Sequence, residues 1–246
     1  MRPGLTALCL SFAVVTSLAA ADRKVGIVTT VAGVPGVAGF ADGPATVATF
    51  NRPTWIDLAR IDRYGIRSGD IFVVDRVNKV IRRISANAVS TYNVVQRPFV
   101  VPTPVSFDFS GPFGGGIVVE PANSGCGGSE YDSGMFVASS GSEQIVMVAM
   151  TGGLAARDDV SPLIGQANVP GSADGLAGNA YPDRGTEAQF QTPTGLALSR
   201  DYAETFPFGK RRVYVADTGN HTIRQIRFGS SFEGCPQTSM VETIAG

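Results

Sequence analysis

Three segments of the chain share one pattern of hydrophobic and polar positions. Each starts with a short apolar run, passes through a polar turn and continues into a second run anchored by an aliphatic residue. The segments are residues 71–84 (IFVVDRVNKVIRRI), 135–148 (MFVASSGSEQIVMV) and 213–226 (VYVADTGNHTIRQI), and their anchors are Ile81, Ile145 and Ile223. Short apolar runs separated by Asp, Asn, Gly and Ser are typical of β-hairpins. The pattern therefore predicts an all-β protein built on a repeated hairpin.

A second block precedes the first and third hairpins. Residues 39–43 (GFADG) match residues 171–175 (GSADG), and each copy then leads into a strand, at residues 55–59 and 195–199. The middle copy keeps only residues 102–107 of this block. Residues 110–133 and 200–212 are expected to be Gly/Pro/Ser-rich insertions.

A third recurring element is a short apolar run at the head of each unit. It occurs at residues 27–33, 89–95, 160–166 and finally 241–246. Four strands per unit at a repeating period are typical of a β-propeller blade. The sequence thus predicts a propeller domain over residues 22–246, with units at about 27–88, 89–159 and 160–246 and one terminal strand.

The motifs of the third unit resemble those of the NHL-repeat family of β-propellers. They are Ala-Asp-Gly at residues 173–175, AQFQTPTG at 188–195 and VYVADTGNHTIR at 213–224. The first unit departs from the family at Trp55, where the family has Gly, and the middle unit departs at Ser139, where the family has Asp. The resemblance implies a closed ring of five or six blades. Three units leave three explanations open: a truncated product of a longer protein, self-association of two copies that closes the ring, or blades hidden in the insertions.

The first 21 residues predict the cellular address. Arg2, an apolar stretch at residues 5–15 and the small residues Ala19 to Ala21 form the pattern of a secretory signal peptide. A membrane anchor is the less favoured alternative, because the apolar stretch is short for a bilayer. We therefore expect a secreted, extracellular protein with no membrane association once the signal is removed.

Secretion changes the interpretation of two features. Cys126 and Cys235 remain after signal removal and are candidates for a disulfide, although their proximity cannot be deduced from sequence. Asn220, in Asn-His-Thr, is a candidate N-glycosylation site if the source is a eukaryote.

Charge and composition exclude several classes of function. Twenty basic and 21 acidic side chains give a net charge of −1, which does not favour a nucleic-acid partner. The basic residues after the hairpin turns, including Lys79, Arg82 and Arg224, are interpreted as a solvated strand face. His221 is the only histidine, which argues against a multi-histidine zinc site or a Ser-His-Asp triad.

The residues at the repeated turns are interpreted as structural. Asp75 and Asp217 follow the first strand of their hairpins, Ser139 replaces them in the middle unit, and Asn220 and His221 complete the third turn. We therefore expect no catalytic residues, metal or cofactor. The predicted function is a non-catalytic binding module whose loops take a protein or carbohydrate ligand. The alternative is a secreted metal-dependent propeller enzyme, a lyase or lactonase-like hydrolase, which requires carboxylate or amide ligands that converge on a central channel.

Overall fold

A computed structural model describes residues 26–60, 62, 65–92, 95–96, 103–104, 107–112, 114–119, 134–149, 159–177, 187–199, 212–228 and 239–246. Within these residues the protein contains β-strands and one short 3-10 turn at Thr218–Asn220, with no α-helix. The all-β prediction is confirmed. The predicted signal peptide, Cys126 and Cys235 lie outside the described residues. Nowhere in the described ranges is there a helix that could cross a membrane.

The strands form three sheets. Sheet 1 contains β1 (Gly43–Pro44), β2 (Pro53–Leu58), β3 (Ile71–Asp75), β4 (Val80–Ser85) and β5 (Ala88–Tyr92). Sheet 2 contains β6 (Val95–Gln96), β7 (Thr103–Pro104), β8 (Ile117–Val119), β9 (Gly134–Ser139), β10 (Gln144–Ala149) and β11 (Asp159–Ile164). Sheet 3 contains β12 (Gly175–Leu176), β13 (Pro193–Leu198), β14 (Arg212–Asp217), β15 (Thr222–Phe228) and β16 (Ser239–Ala245).

Four consecutive strands form an antiparallel meander in every sheet. The orders are β2-β3-β4-β5, β8-β9-β10-β11 and β13-β14-β15-β16, and short strands add to the outer edge. The hairpins β3–β4, β9–β10 and β14–β15 are the three that the hydrophobic pattern predicts. Because neighbouring strands are consecutive in the chain, each meander needs only short connections between most of its strands.

The middle sheet departs from the sequence interpretation. Its first long strand is β8, which lies inside the segment interpreted as an insertion, and Ile117 pairs with Val137 as Leu196 pairs with Val215 in sheet 3. The expected strand at residues 102–107 is instead represented by β7, which pairs with β6 at the opposite edge. The apolar run of β8 follows three glycines rather than the Pro-Thr block of the other units, so the repeat motif does not reveal it.

The structure also groups the recurring short strands differently. The runs expected to lead the second and third units contribute β5 and β11, which complete sheets 1 and 2 as last meander strands. The final run contributes β16, which completes sheet 3 by pairing with β15. Residues 31–246 form one compact unit. Residues 26–30 belong to a separate unit and contain no strand.

Side chains alternate between the two faces of sheet 2, as a pleated strand requires. Ile117, Met135 and Val137 pack in one core with Phe72, Val74 and Ile81 of sheet 1. The other face of sheet 2 packs in a second core with sheet 3. This core contains Val118, Phe136, Ala138 and Ile145 of sheet 2 and Leu196, Val213, Val215 and Ile226 of sheet 3. Burying each large apolar side chain contributes about 1.5–3 kcal/mol. The two cores therefore join the three sheets in chain order.

Candidate functional site

A buried arginine ties the loop of sheet 1 to its hairpin. The Arg82 side chain has no exposed surface, and its Nη1 lies 2.9 Å from Oδ2 of Asp75, which is also fully buried. Nη2 lies 2.7 Å from Oδ1 of Asp42. The guanidinium also donates to the carbonyl oxygens of Thr49 and Ala41, at 2.9 and 2.8 Å. Four acceptors of a single guanidinium, two of them charged, replace the water that burial removes.

Sheet 3 repeats this arrangement. Arg224 Nη1 lies 2.9 Å from Oδ2 of Asp217, and Nη2 lies 2.7 Å from Oδ1 of Asp174. The carbonyl oxygens of Gln189 and Ala173 accept the remaining bonds. The interpretation of the basic residues as a solvated strand face is therefore wrong for the arginines at positions 82 and 224. The cause is long-range: each aspartate of the loop lies at least 40 residues from its arginine.

Both oxygens of Asp75 and of Asp217 are held by protein groups. Oδ1 of Asp75 accepts the backbone N–H of Asn51 at 2.7 Å, and Oδ2 accepts Nδ2 of Asn78 at 2.8 Å. Gln191 and Asn220 make the same contacts to Asp217, both at 2.8 Å. We call the first strand of each meander (β2, β8 or β13) its inner strand. These carboxylates link the start of the inner strand to the hairpin turn. Across the described ranges, no group of three His, Cys, Asp or Glu side chains could hold a metal ion.

The turn of sheet 2 replaces this charge network with hydroxyls. Ser139 Oγ accepts the backbone N–H of Asp108 at 2.9 Å and lies 2.7 Å from the hydroxyl oxygen of Ser142. Val146 stands where the other sheets have their arginine. A buried carboxylate is therefore absent at the position where the guanidinium is absent, which avoids an unpaired buried charge.

The side-chain nitrogen of Asn220 donates two hydrogen bonds within the protein. Its Nδ2 donates to Oδ2 of Asp217 and, at 2.7 Å, to the carbonyl oxygen of Gly171. A glycan on this nitrogen replaces one of the two hydrogens, so glycosylation and one of these bonds are mutually exclusive. The sequon remains a prediction of the sequence.

One position of each turn has a left-handed backbone and a different side chain. Lys79, Glu143 and His221 have φ angles of 57°, 60° and 59°. Residues other than Gly, Asn and Asp rarely adopt this region. The repeat thus fixes the backbone of this position and leaves its chemistry free to vary between a cation, a carboxylate and an imidazole.

A loop at residues 108–112 and 114 contacts both the turn of sheet 1 and the start of the inner strand of sheet 3. Arg76 donates from Nε to the carbonyl oxygen of Phe109 at 3.1 Å and from Nη2 to that of Gly111 at 2.8 Å. Phe109 is fully buried and stacks on Phe107 with ring centroids 5.5 Å apart. A Cβ on Gly111 would meet the side chains of Ser140 and Thr192. The aromatic pair anchors the loop. The small residues of the loop allow the three sheets to approach one another at one end.

Trp55 lies beside this loop on the inner strand of sheet 1. Its indole is within van der Waals reach of the Cβ position of Gly195 on sheet 3, at 3.7 Å, and 39 % of the residue is exposed. Thr54 approaches Gly114, and Thr194 Oγ1 lies 2.6 Å from Thr218 Oγ1. We call this set the rim: Thr54, Trp55, Arg76, Ser140, Glu143, Thr192, Thr194 and Thr218.

Glu143 is the carboxylate of the rim. Burial raises its pKa, and the negative charges of Asp217 and Asp108 act in the same direction, while the hydrogen bond from the Thr192 N–H opposes them. Ser140 is buried, and its hydroxyl oxygen has no hydrogen-bond partner within the described structure. The rim therefore offers an aromatic face, several hydroxyls, a guanidinium and a carboxylate with a raised pKa.

Sequence reasoning missed most of this set. Glu143 and Ser140 do not recur between units, and the loop at residues 108–114 lies in the presumed insertion. Their only sequence signal is their position in a turn whose alignment with the other two is free of gaps.

Comparison with known proteins identifies similar folds but no family. No family model matches the chain, and no curated protein is detectably similar to it in sequence. Solved auxiliary nutrient binding proteins from Bacteroides ovatus and Bacteroides thetaiotaomicron are similar in structure, with TM-scores of 0.52 and 0.51 and sequence identities of 16% and 13%. Each similarity covers 81% of this chain and 37% of the other. The chain thus shares an all-β fold with a little over a third of each of these proteins.

Proposed function

We propose that this protein is a secreted, non-catalytic binding module built from NHL-type β-propeller blades, and that its rim binds a carbohydrate. Three four-stranded meanders packed face to face in chain order support the blade assignment. The nutrient-binding names of the two similar structures support a binding role. A fold does not determine an activity, so the function of this protein depends on the groups of its rim.

The observation that carries the proposal is how the turn residues divide. The residues repeated between sheets 1 and 3, namely the aspartates, asparagines and arginines, make hydrogen bonds within the protein, although Nε of Arg82 and of Arg224 has no partner in the described structure. Most residues of the rim differ between sheets, the exception being Thr54 and Thr194, which share one position of the Pro-Thr block. A repeated scaffold that carries non-repeated polar groups at one end is the usual arrangement of a recognition surface.

The chemistry of the rim fits a sugar. The partly exposed indole of Trp55 can pack against the C–H face of a pyranose ring, since an aromatic side chain offers a large rigid apolar surface with a polar edge. The Thr54, Thr194 and Thr218 hydroxyls can donate to or accept from ring hydroxyls. Few polar groups placed around an apolar platform are typical of small-molecule sites.

Isothermal titration calorimetry of the full chain tests this proposal. The probes are maltohexaose, cellohexaose, xylohexaose and mannohexaose. We expect saturable heat with at least one of them, and at least 10-fold weaker binding for Thr194→Val. The matched control is Thr91→Val, which changes a threonine of the outer strand β5. No heat with any probe, or equal loss of binding in both variants, contradicts a carbohydrate site at the rim.

A further inference from the structure

The three sheets use the same two faces to pack against one another. We call the front the face that carries Val73, Val137 and Val215, and the back the face that carries Phe72, Phe136 and Tyr214. The front of sheet 2 packs on the back of sheet 1, and the front of sheet 3 packs on the back of sheet 2. Two internal interfaces of one kind therefore occur within a single chain.

Within the described ranges, no sheet packs on the front of sheet 1. Ile56, paired with Val73, is 63% exposed, whereas Leu196, at the same position of sheet 3, is 6% exposed. Leu58, on the same face, is 47% exposed. Apolar residues occupy most front positions, as expected of a face that packs, and Arg82 and Arg224 lie on the same face, opposite Val73 and Val215. The apolar front residues are Ile56, Ile71, Val73 and Ile84 in sheet 1, Ile117, Met135, Val137 and Val148 in sheet 2, and Leu196, Val213, Val215 and Ile226 in sheet 3.

The back of sheet 3 is the complementary free face. Ile223 is 41% exposed, whereas the corresponding Ile81 and Ile145 have no exposed surface. Ala197 is exposed at the position where sheet 2 buries Val118. Tyr214 takes the position of Phe72 and Phe136, and Gln225 takes that of Arg83 in sheet 1 and Met147 in sheet 2. This back therefore carries a tyrosine and a neutral amide, and tyrosine is enriched in interfaces between separately folded chains.

We propose that these faces bind a second copy of this chain. The front of sheet 1 in each copy packs on the back of sheet 3 in the other, so that two identical contacts close a six-sheet ring with two-fold symmetry. A second copy is the expected partner because fronts and backs already pack on each other twice within the chain. The exposed front of sheet 1 and the exposed back of sheet 3 are faces of these same two kinds. A head-to-tail contact gives a ring where its rotation closes and a filament where it does not.

Analytical ultracentrifugation of the full chain over a concentration series tests this inference. We expect a species of twice the 25.7 kDa chain mass. Ile56→Lys and Ile223→Lys each place a lysine in both contacts, and burying an unpaired ammonium is costly, so each should weaken dimerisation about 100-fold or more. Val77→Lys is the control, because Val77 is 48% exposed in a hairpin turn away from either face.

Mixing the two interface variants separates this arrangement from a front-to-front dimer. One Ile56→Lys copy and one Ile223→Lys copy retain one intact contact between them, so a heterodimer should appear where neither variant alone dimerises. Three outcomes overturn the proposal: a folded wild-type monomer at all concentrations, an open-ended series of oligomers, or an Ile223→Lys variant that dimerises as the wild type does. Thermal unfolding of each variant verifies that it is folded.

Discussion

Arg82 and Asp75 form an ion pair from which water is completely excluded, with 2.9 Å between Nη1 and Oδ2. Arg224 and Asp217 form the same pair at the same distance in sheet 3. Each pair is seven residues apart in sequence, across a hairpin, and the second guanidinium nitrogen reaches a loop aspartate. The pair therefore fastens three segments of a sheet: the loop, the start of the inner strand and the hairpin.

Removing one partner of such a pair should be costly. Asp217→Asn leaves the buried Arg224 guanidinium with only the half-exposed Asp174 as counter-charge, and we expect a loss of about 3 kcal/mol in the free energy of unfolding, the lower end for a broken buried pair. Urea denaturation followed by circular dichroism measures it. Ser139→Ala, at the same position of sheet 2, is the control and should lose about 1 kcal/mol, since only neutral hydrogen bonds disappear. Equal losses in the two variants would contradict the structural role of the ion pair.

Glu143 should make stability depend on pH. Because burial raises its pKa, the folded state holds the proton more tightly than the unfolded state does. The stability linked to its protonated form is fully present below the unfolded pKa and is lost as pH rises through the folded pKa. Glu143→Gln should therefore flatten the pH dependence of the melting temperature above pH ~4.5, whereas Glu187→Gln, at an exposed position, should preserve it. A wild-type slope that survives in Glu143→Gln would exclude this carboxyl as its source.

Asp174 should make the stability of the fold decrease as the pH falls, which is opposite to the effect of Glu143. Its burial raises the pKa, but hydrogen bonds from Thr243 and Arg224, with the charge of Arg224, outweigh that effect and lower it. The stability contributed by the ionised carboxylate is present above the unfolded pKa and is lost as pH falls through the folded pKa. Asp174→Asn should thus destabilise the protein at neutral pH and reduce its sensitivity to acid. An acid unfolding midpoint identical to that of the wild type would contradict this.

The left-handed turn position offers a gain in stability. Lys79→Gly removes a Cβ from a residue with φ of 57°, and we expect a gain of up to about 1 kcal/mol after the greater flexibility of glycine in the unfolded chain is subtracted. Val77→Gly in the same turn should lose about 0.5–1 kcal/mol, because its backbone gains nothing from glycine. Chemical denaturation compares the two, and a loss in Lys79→Gly as large as in the control would argue against backbone strain.

Two glycines at equivalent positions should respond differently to alanine. A Cβ on Gly116 would collide with the backbone carbonyl of Thr194, whereas one on Gly195 finds its nearest neighbour, the Ala216 Cβ, at 3.3 Å. Gly116→Ala should therefore cost about 1–3 kcal/mol in unfolding free energy, and Gly195→Ala clearly less. Similar melting temperatures for the two variants would contradict the close approach of sheets 2 and 3 at this point.

The sequence predicts the local structure well and the long-range contacts poorly. The hairpins follow from apolar runs and turn residues, which act within a few positions. Strand β8 is not predicted, because three glycines precede it in place of the Pro-Thr motif that marks the other inner strands. The burial of Arg82 and Arg224 is not predicted from the sequence, because folding alone brings their carboxylate partners in the loops, Asp42 and Asp174, close to them. The rim is not predicted for a related reason: its residues come from three sheets, and apart from Thr54 and Thr194 they do not repeat.

Fluorescence of Trp55 reports binding at the rim, because Trp55 is the only tryptophan in the chain and lies in the rim. The measurement is a titration of the full chain with whichever hexasaccharide gives heat in calorimetry, followed through tryptophan emission. We expect a saturable change in emission with the same Kd as the calorimetric value, and its loss in Thr194→Val. Calorimetric binding that leaves the emission of Trp55 unchanged would place the ligand elsewhere and contradict the rim as the binding site.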